Sequence, residues 1–288
     1  MKIDEINFRD PFILPVKSEG KYYLFGTTGI TTWEGKPDGL DVYSSDDLVN
    51  WEGPFPAFRP NKDFWADQNY WAPEVHEWNG KYFMFASFKS EDRRRCTQIL
   101  VSDKPEGPYV PHGSEHFTPK EWECLDGTFY VDKKGVPWMI FCHEWVQIEI
   151  GKMCAVKLSE DLTEPVSDPI DLFRATDAPW VRPVKEDHYF VTDGPFLYRA
   201  KNNELLMMWS SFGDKGYAIG LARSESGDVK GPWNHDDQPI FGKDGGHGML
   251  FETFAGELKL VIHAPNDTPN ERPMFFSVSE DNGTLSIK

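Results

Sequence analysis

The sequence predicts an all-β fold: a five-bladed β-propeller in which each blade is a four-stranded antiparallel sheet. Three observations predict it. Aromatic residues make up 15% of the chain, and its 24 glycines and 22 prolines are spread along the whole length, which is typical of many short strands joined by turns. No long periodic helical segment is visible. A strand–turn–strand unit recurs five times, and such a repeat indicates the fold more strongly than any single motif.

Each repeat begins with an apolar strand, turns at a glycine or an asparagine, and continues into a second strand rich in apolar and aromatic residues. The turns lie 60, 55, 68 and 53 residues apart, at Gly20, Gly80, Gly135, Asn203 and Gly256. A third strand follows each of them and ends at a serine and an acidic residue, at Ser45-Asp46, Ser102-Asp103, Ser159-Glu160, Ser224-Glu225 and Ser279-Glu280. A β-sandwich with similar hairpins is the alternative, but five matched units favour the propeller.

The first strand of each repeat carries one residue at a near-equivalent position, eight to ten residues before the turn: Asp10, Ala72, Asp126, Asp193 and His247. First strands line the axial channel of a propeller, so we expect three carboxylates and a histidine to face each other at one end of that channel. Any one of these aspartates alone would be interpreted as a turn residue. Together they indicate a functional site, because clustered carboxylates repel one another.

Three carboxylates around one axis favour glycoside hydrolysis. An inverting glycosidase uses one carboxylate as a base toward water and one carboxylic acid to protonate the leaving oxygen, with roughly 6.5–9.5 Å between them. A third carboxylate nearby raises the pKa of the acid through like-charge repulsion.

Composition narrows the range of partners. The chain has 47 acidic and 30 basic residues and a net charge of -17, which disfavours nucleic acid and anionic membranes and is compatible with a neutral carbohydrate. We expect one domain over residues 1–288 and a monomer. The four cysteines show no CxxC pairing, so free thiols are expected.

The sequence is compatible with more than one cellular compartment. Charged residues occur throughout the first 25 positions, no signal-peptide core is visible, and no uncharged run reaches transmembrane length. The expectation is therefore a cytoplasmic protein, or a periplasmic or secreted one if a leader was removed.

Several motifs together resemble glycoside hydrolase family 43, the five-bladed propeller group that includes α-L-arabinofuranosidases and β-xylosidases. They are Arg9-Asp10-Pro11-Phe12, Trp71-Ala72-Pro73-Glu74-Val75, Leu125-Asp126-Gly127-Thr128-Phe129 and the segment from Ser44 to Trp51. The resemblance spans essentially the whole chain. It implies that Asp10 is the general base, that Asp126 tunes the pKa of the acid and orients substrate, and that Asp193 is the general acid.

The acid motif departs from the family. The usual residue before Gly-Pro is glutamate, whereas here Asp193 precedes Gly194-Pro195. Aspartate is shorter by one C–C bond, about 1.5 Å, and a misplacement of that size can cost a large factor in rate. Three interpretations stay open: Asp193 is the acid in an adapted pocket, Glu144 supplies the acid, or the propeller binds glycan and hydrolyses it poorly.

The resemblance also implies a cation, often calcium, held through water in the channel near His247; no other cofactor is expected. A hard cation prefers oxygen ligands, so His247 is expected to bind it only through water or to contact sugar. No zinc spacing is present. The remaining substrate contacts are expected among aromatic and polar residues beside the ring, with Trp71 and Trp145 favoured: Phe12, Trp33, Trp71, Glu74, Trp145, Trp180, Arg182 and Arg223.

The function expected from these residues is an inverting, exo-acting glycosidase that releases a terminal pentose, α-L-arabinofuranose first and β-D-xylose next, from a plant-type glycan. The alternative is a glycan-binding propeller with little or no activity.

Overall fold

The computed structural model describes residues 1–28 and 33–288, and in them the chain forms five four-stranded antiparallel sheets. The predicted five-bladed propeller is confirmed. The only helical segments among the described residues are two 3-10 turns and one short α-helix, Ile3–Glu5, Ala175–Asp177 and Trp145–Ile148 (α1).

Each blade is built from consecutive strands, and hydrogen-bonded neighbours follow the order of the chain. The first blade contains β1 (Phe8–Val16), β2 (Lys21–Thr28), β3 (Leu40–Ser45) and β4 (Glu52–Phe58). The second contains β5 (Gln68–Trp78), β6 (Lys81–Lys89), β7 (Cys96–Ser102) and β8 (Val110–Pro111). The third contains β9 (Cys124–Val131), β10 (Pro137–His143), β11 (Lys152–Lys157) and β12 (Ile170–Arg174).

The fourth blade contains β13 (Asp193–Arg199), β14 (Leu205–Gly213), β15 (Gly216–Ser224) and β16 (Trp233–His235). The fifth contains β17 (Gly246–Glu252), β18 (Leu258–Ala264), β19 (Arg272–Asp281) and β20 (Thr284–Ile287). The first strands β1, β5, β9, β13 and β17 contact one another in sequence, and β17 returns to β1. The strands that begin the blades therefore surround one axis.

The five predicted turns owe their residue type to backbone conformation. Gly20, Gly80, Gly135, Asn203 and Gly256 all have positive φ, between 65° and 79°. At Gly20, Gly80 and Gly135 a side chain would meet no atom within 4 Å, so space does not select glycine there. The left-handed backbone selects it, because glycine and asparagine adopt that conformation at the lowest cost.

The second strand of each blade is apolar because neighbouring blades cover both of its faces. β10 is buried along its whole length, and Leu205 to Trp209 of β14 have no exposed surface. Burial of one such large side chain contributes about 1.5–3 kcal/mol. One core cluster includes Tyr22 of the first blade and Phe251 of the last, whose ring centroids lie 6.3 Å apart, so this packing also closes the ring.

The cysteines agree with expectation: all four are buried and free, at Cys96, Cys124, Cys142 and Cys154. Across the described ranges, no helix is long and apolar enough to cross a bilayer.

Candidate active site

A β-bulge at the start of each blade places the central side chains. In every first strand two residues oppose a single residue of the second strand. The first residue of each bulge has positive φ, from 41° to 56°, and these residues are Asp10, Ala72, Asp126, Gly194 and His247. Five equivalent backbone positions therefore surround the axis, and Asp10, Asp126 and His247 occupy three of them.

The expected equivalence of Asp193 is wrong by one residue. Gly194 is the bulge residue of the fourth blade, whereas Asp193 pairs with Ser210 just before the bulge. Its counterparts in the other blades are Arg9, Trp71, Leu125 and Gly246. Counting from the hairpin turn missed this offset because the bulge, and not the turn, fixes the position. Asp193 nevertheless lines the same central cavity as Asp10 and Asp126.

A second ring of side chains holds the bulges. The backbone N–H of Ala72 donates to Thr27 Oγ1 at 2.7 Å, that of Asp126 to Ser87 Oγ at 2.9 Å, and that of His247 to Ser210 Oγ at 2.7 Å. Each acceptor lies on the second strand of the preceding blade. These bonds offset the cost of positive φ in non-glycine residues, which is about 1–3 kcal/mol each.

Two blades vary this pattern. In the first blade, the N–H of Asp10 donates to an imidazole, His263 Nδ1, at 3.1 Å. In the fourth blade, the N–H of Gly194 donates to Asp126 Oδ2 at 2.9 Å, because Cys142 occupies the position that carries a hydroxyl or an imidazole in the other blades. An alignment of the five second strands would have shown a hydroxyl or an imidazole at the same position in four of them, namely Thr27, Ser87, Ser210 and His263.

His247 joins two of the carboxylates. Its Nδ1 lies 3.1 Å from Asp10 Oδ1 and 3.6 Å from Asp126 Oδ2, and these three side chains are at most 10% exposed. The other oxygen of Asp10 accepts a hydrogen bond from the Thr27 hydroxyl at 2.7 Å. Both oxygens of Asp10 are therefore held in fixed directions.

The electrostatics favour an ionised Asp10. Burial raises the pKa of Asp10, but the charge and hydrogen bond of His247, with Arg9 and His263, outweigh burial and hold that pKa well below its usual range. Burial lowers the pKa of His247, while Asp10 and Asp126 raise it, and the net effect raises the pKa of His247 to about 10. At neutral pH the two groups form an imidazolium–carboxylate pair.

His263 is a neutral partner. Burial lowers the pKa of His263 to about 4, although Asp10 opposes that change. Its Nδ1 accepts the N–H of Asp10, so the proton of the neutral ring is on Nε2, which lies 3.2 Å from Asn266 Oδ1. The same Asn266 oxygen accepts a bond from Arg9 Nη2 at 2.8 Å, which ties the arginine to this network.

The other two carboxylates behave in the opposite way to Asp10. Burial raises the pKa of both Asp126 and Asp193; His247 opposes each rise, whereas the charge of Asp10 adds to it. Tyr217 also lowers the pKa of Asp193, since its hydroxyl donates to Asp193 Oδ2 at 2.9 Å. Asp126 and Asp193 repel each other's charge, so the pair retains a proton near neutral pH.

The ring opens into a cavity of about 740 Å³. The cavity walls contain eight of the residues that the sequence predicted for the site, namely Asp10, Trp33, Trp71, Asp126, Glu144, Trp145, Asp193 and His247. Of these, Trp33 is 54% exposed and has the Arg9 guanidinium 4.9 Å from its ring centroid. Tyr217 and Arg95 are cavity residues that the sequence interpretation missed, although Arg95 ends a conspicuous run of three arginines in an acidic chain.

Five predicted substrate contacts lie elsewhere. Phe12 is packed in the hydrophobic core, Glu74 pairs with His76, and Trp180 packs on Trp209. Arg223 lies on a third strand, where it binds Asp236, Glu204 and the carbonyl of Gly283. Arg182 pairs with Asp214 outside the cavity lining.

The position of each residue within its strand or blade explains why several of these side chains lie outside the cavity. Phe12 and Glu74 each lie two residues beyond a bulge, where the side chain turns into the blade, and third strands lie farther from the axis than first strands.

Glu144 lies in the cavity and forms an ion pair with Arg95. Burial raises the pKa of Glu144, Arg95 lowers it and Asp193 raises it, with a net rise. A proton on Glu144 would weaken the ion pair with Arg95.

The cation implied by the resemblance has no direct ligand set here. Among residues 1–28 and 33–288, no three His, Cys, Asp or Glu side chains are arranged to hold a metal ion. Nδ1 of His247 is already within hydrogen-bond distance of Asp10. A cation bridged by water stays a prediction, and the acid–base chemistry of the three aspartates does not require it.

Comparison with known proteins gives a consistent picture. The family model described as glycosyl hydrolases family 43 matches residues 3–277. The crystal structure of an endo-arabinase from Bacteroides thetaiotaomicron superposes with a TM-score of 0.91 at 39% identity, and the match covers 98% of each chain.

Two curated relatives are more distant. The extracellular endo-α-(1→5)-L-arabinanase 1 of Bacillus subtilis is 28% identical over 152 residues, which are 48% of this chain and 44% of that protein. The extracellular exo-α-(1→5)-L-arabinofuranosidase ArbA of Cellvibrio japonicus is 24% identical over 177 residues, 56% of this chain and 46% of that protein. The match therefore spans less than half the length of these two relatives.

Proposed function

Because the chain belongs to glycosyl hydrolases family 43, we propose that it is an inverting glycosidase and that its substrate is an α-1,5-linked arabinan. The observation that carries the proposal is the division of protonation states within one cavity. His247 keeps Asp10 ionised, whereas burial and mutual repulsion keep a proton on the Asp126–Asp193 pair. Hydrolysis by inversion needs one carboxylate of each kind.

In this mechanism Asp10 takes a proton from a water molecule as that water attacks the anomeric carbon. Asp193 gives its proton to the leaving glycosidic oxygen, and the configuration at the anomeric carbon inverts. Asp126 and Asp193 repel each other's charge, so the pair holds the proton that Asp193 donates, and Asp126 Oδ2 holds the Gly194 N–H next to the acid. Tyr217 fixes one oxygen of Asp193 and thereby directs the shorter side chain.

Asp193 is a better candidate for the acid than Glu144. Both lie in the cavity, and both have a raised pKa because of burial. Glu144, however, accepts a hydrogen bond from the guanidinium of Arg95, which stabilises the ionised carboxylate. Within residues 1–28 and 33–288, Asp193 makes no hydrogen bond or ion pair with a cationic side chain, and its hydrogen bond from Tyr217 leaves the second oxygen for the proton.

The names of the relatives support the choice of polymer. Both curated relatives act on (1→5)-linked arabinose according to their names, and the Bacteroides structure, which is 39% identical and matched over 98% of its length, is named an endo-arabinase. Cleavage within the chain is therefore the favoured mode. Release of terminal arabinofuranose, expected from the sequence, is the second candidate, and the name of the Cellvibrio relative favours it.

Digestion of linear α-1,5-arabinan, followed by chromatography of the products, tests the proposal. Internal cleavage is expected to release a ladder of oligosaccharides, and terminal cleavage only arabinose. Asp10→Asn should abolish either pattern, because an amide cannot accept the proton of water. Tight binding of arabino-oligosaccharides without turnover in the unmodified protein would contradict the hydrolase and support a glycan-binding propeller.

A further inference from the structure

One ion pair in the cavity has no part in the mechanism above. Arg95 and Glu144 both line the cavity, and the Arg95 Nη1 donates to Glu144 Oε2. Their side chains are only 10% and 5% exposed. A buried ion pair is weak evidence for stability, since hydrophobic residues of similar volume serve a core equally well. Its position in the cavity suggests another use.

The protein holds Arg95 in one orientation. The guanidinium carbon lies 4.3 Å from the ring centroid of Trp71, and Nη2 donates to Asn69 Oδ1 at 3.1 Å. The backbone N–H of Arg95 donates to Glu123 Oε2 at 2.9 Å, and Lys89 lies 3.2 Å from the other oxygen of Glu123. This support fixes the donor before any ligand binds.

One donor of Arg95 is left over. Its Nε is buried and has no hydrogen-bond partner among the residues that the structure describes. The structural Arg223 differs, because its Nε, Nη1 and Nη2 all bind protein oxygens. Buried donors are almost always paired, so the unpaired Nε shows that protein contacts do not use the full donor capacity of the Arg95 guanidinium.

The charges also place Glu144 near the reacting centre. Asp193 contributes to the raised pKa of Glu144, after burial and against the effect of Arg95. Arg95, Glu144 and Asp193 line one cavity, so the sugar whose oxygen Asp193 protonates is within reach of this pair.

We propose that Arg95 and Glu144 act together as a specificity-determining pair that binds the 2- and 3-hydroxyl groups of the sugar on the non-reducing side of the scissile bond. Arg95 donates to one hydroxyl oxygen, and Glu144 accepts a hydrogen bond from the other. Vicinal hydroxyls match a donor and an acceptor held side by side, and charged partners give stronger hydrogen bonds than neutral ones. Trp71, which the guanidinium covers, then supports Arg95. The proposal rests on the proposed glycosidase function.

The test is a comparison of aryl α-1,5-L-arabinobiosides in which the sugar next to the aryl group is intact, 2-deoxy or 3-deoxy. The unmodified enzyme should prefer the intact compound in kcat/KM by about 10- to 100-fold, because a deoxy sugar leaves a buried charged group unpaired. In Glu144→Gln and Arg95→Met the preference at one of the two positions should fall by about tenfold or more.

The fold offers a matched control. Arg93 pairs with Glu115 at 2.6 Å and lies 5.3 Å from the ring of Trp65, the same three residue types outside the cavity lining. Arg93→Met should leave the preference for hydroxyl groups unchanged. Because Arg95→Met leaves Glu144 without its cation and can prevent folding, the double variant Arg95→Met, Glu144→Leu removes both charges.

The outcomes are distinguishable. An equal loss on intact and deoxy substrates in the Arg95 and Glu144 variants would overturn the specificity role and leave the glycosidase standing. If the unmodified protein hydrolyses neither these compounds nor linear α-1,5-arabinan, the proposed function fails. Calorimetric binding of arabinobiose, intact and deoxy, still tests the pair in that case: equal affinities would refute it, and a preference lost in Glu144→Gln would support it.

Discussion

Replacing Tyr217 with phenylalanine tests the assignment of Asp193 as the general acid. The Tyr217 hydroxyl donates to Asp193 Oδ2 at 2.9 Å, and this bond stabilises the ionised carboxylate. Without it, Asp193 should hold its proton to higher pH. A hydrogen bond to a charged group is worth about 1.5–3 kcal/mol, and 1.36 kcal/mol corresponds to one pH unit. The alkaline limb of the pH profile should therefore move upward by about 1 to 2 pH units.

The assay is the pH dependence of kcat/KM on arabino-oligosaccharides. The acidic side of the profile should not change, because the base Asp10 stays ionised there and bonds to His247 and Thr27, not to Tyr217. Phenylalanine retains the stacking of the ring on His263, with centroids 5.6 Å apart, so the protein should remain folded. Tyr198→Phe is the control, since the Tyr198 hydroxyl donates to Glu280 at 2.7 Å, away from the central cavity.

An unchanged or lowered alkaline limb in Tyr217→Phe would refute the reasoning. Asp193 would then not be the group whose protonation limits the rate at high pH. A shift in Tyr198→Phe of the same size would show that the effect is general and unrelated to the site.

Three further predictions follow from the same site. Asp193→Ala should reduce the hydrolysis of arabinan far more than that of aryl glycosides with good leaving groups, because only the poor leaving group needs a proton; equal losses would argue against its role as the acid. The pKa of His247 is raised to about 10, so its stabilising charge is complete below pH 6.5, the ordinary histidine value, and is lost as the pH rises toward 10. Thermal unfolding of the unmodified protein should show that decline, and His247→Asn should not. Dialysis against EDTA should leave kcat unchanged, since the His247 imidazolium already lies against Asp10 and Asp126; activity lost and then restored by Ca²⁺ would contradict this expectation.

The parts of the fold that could be predicted are those in which the backbone conformation limits the choice of residue. Gly20 and its four counterparts mark turns because their positive φ limits the choice of residue. Each blade has one such turn, so the number of turns gives the number of blades. Asp10 and Asp126 could be placed because each lies in a bulge at an equivalent position. Both inferences used a local rule repeated five times, which a single sequence displays.

The residues that could not be placed depend on register and on long-range contacts. Phe12 was expected in the cavity and lies in the core, because the bulge decides which way the side chains after it point. Arg95 reaches the cavity only through its contacts with Trp71, Asn69 and Glu144, which come from two different blades. No spacing along the chain encodes contacts of that kind.

The offset of Asp193 has a physical cause in the ring itself. A side chain at Gly194, the bulge residue of the fourth blade, would lie 2.7 Å from the ring carbons of His247, so the imidazolium already fills that space. A carboxylate at the equivalent position is therefore excluded, and the fourth blade presents one from the residue before, Asp193. The N–H of Gly194 then bonds to Asp126. Gly194 thus leaves space for the His247 imidazolium, which keeps Asp10 ionised. Its N–H also links the backbone next to Asp193 to the carboxylate of Asp126.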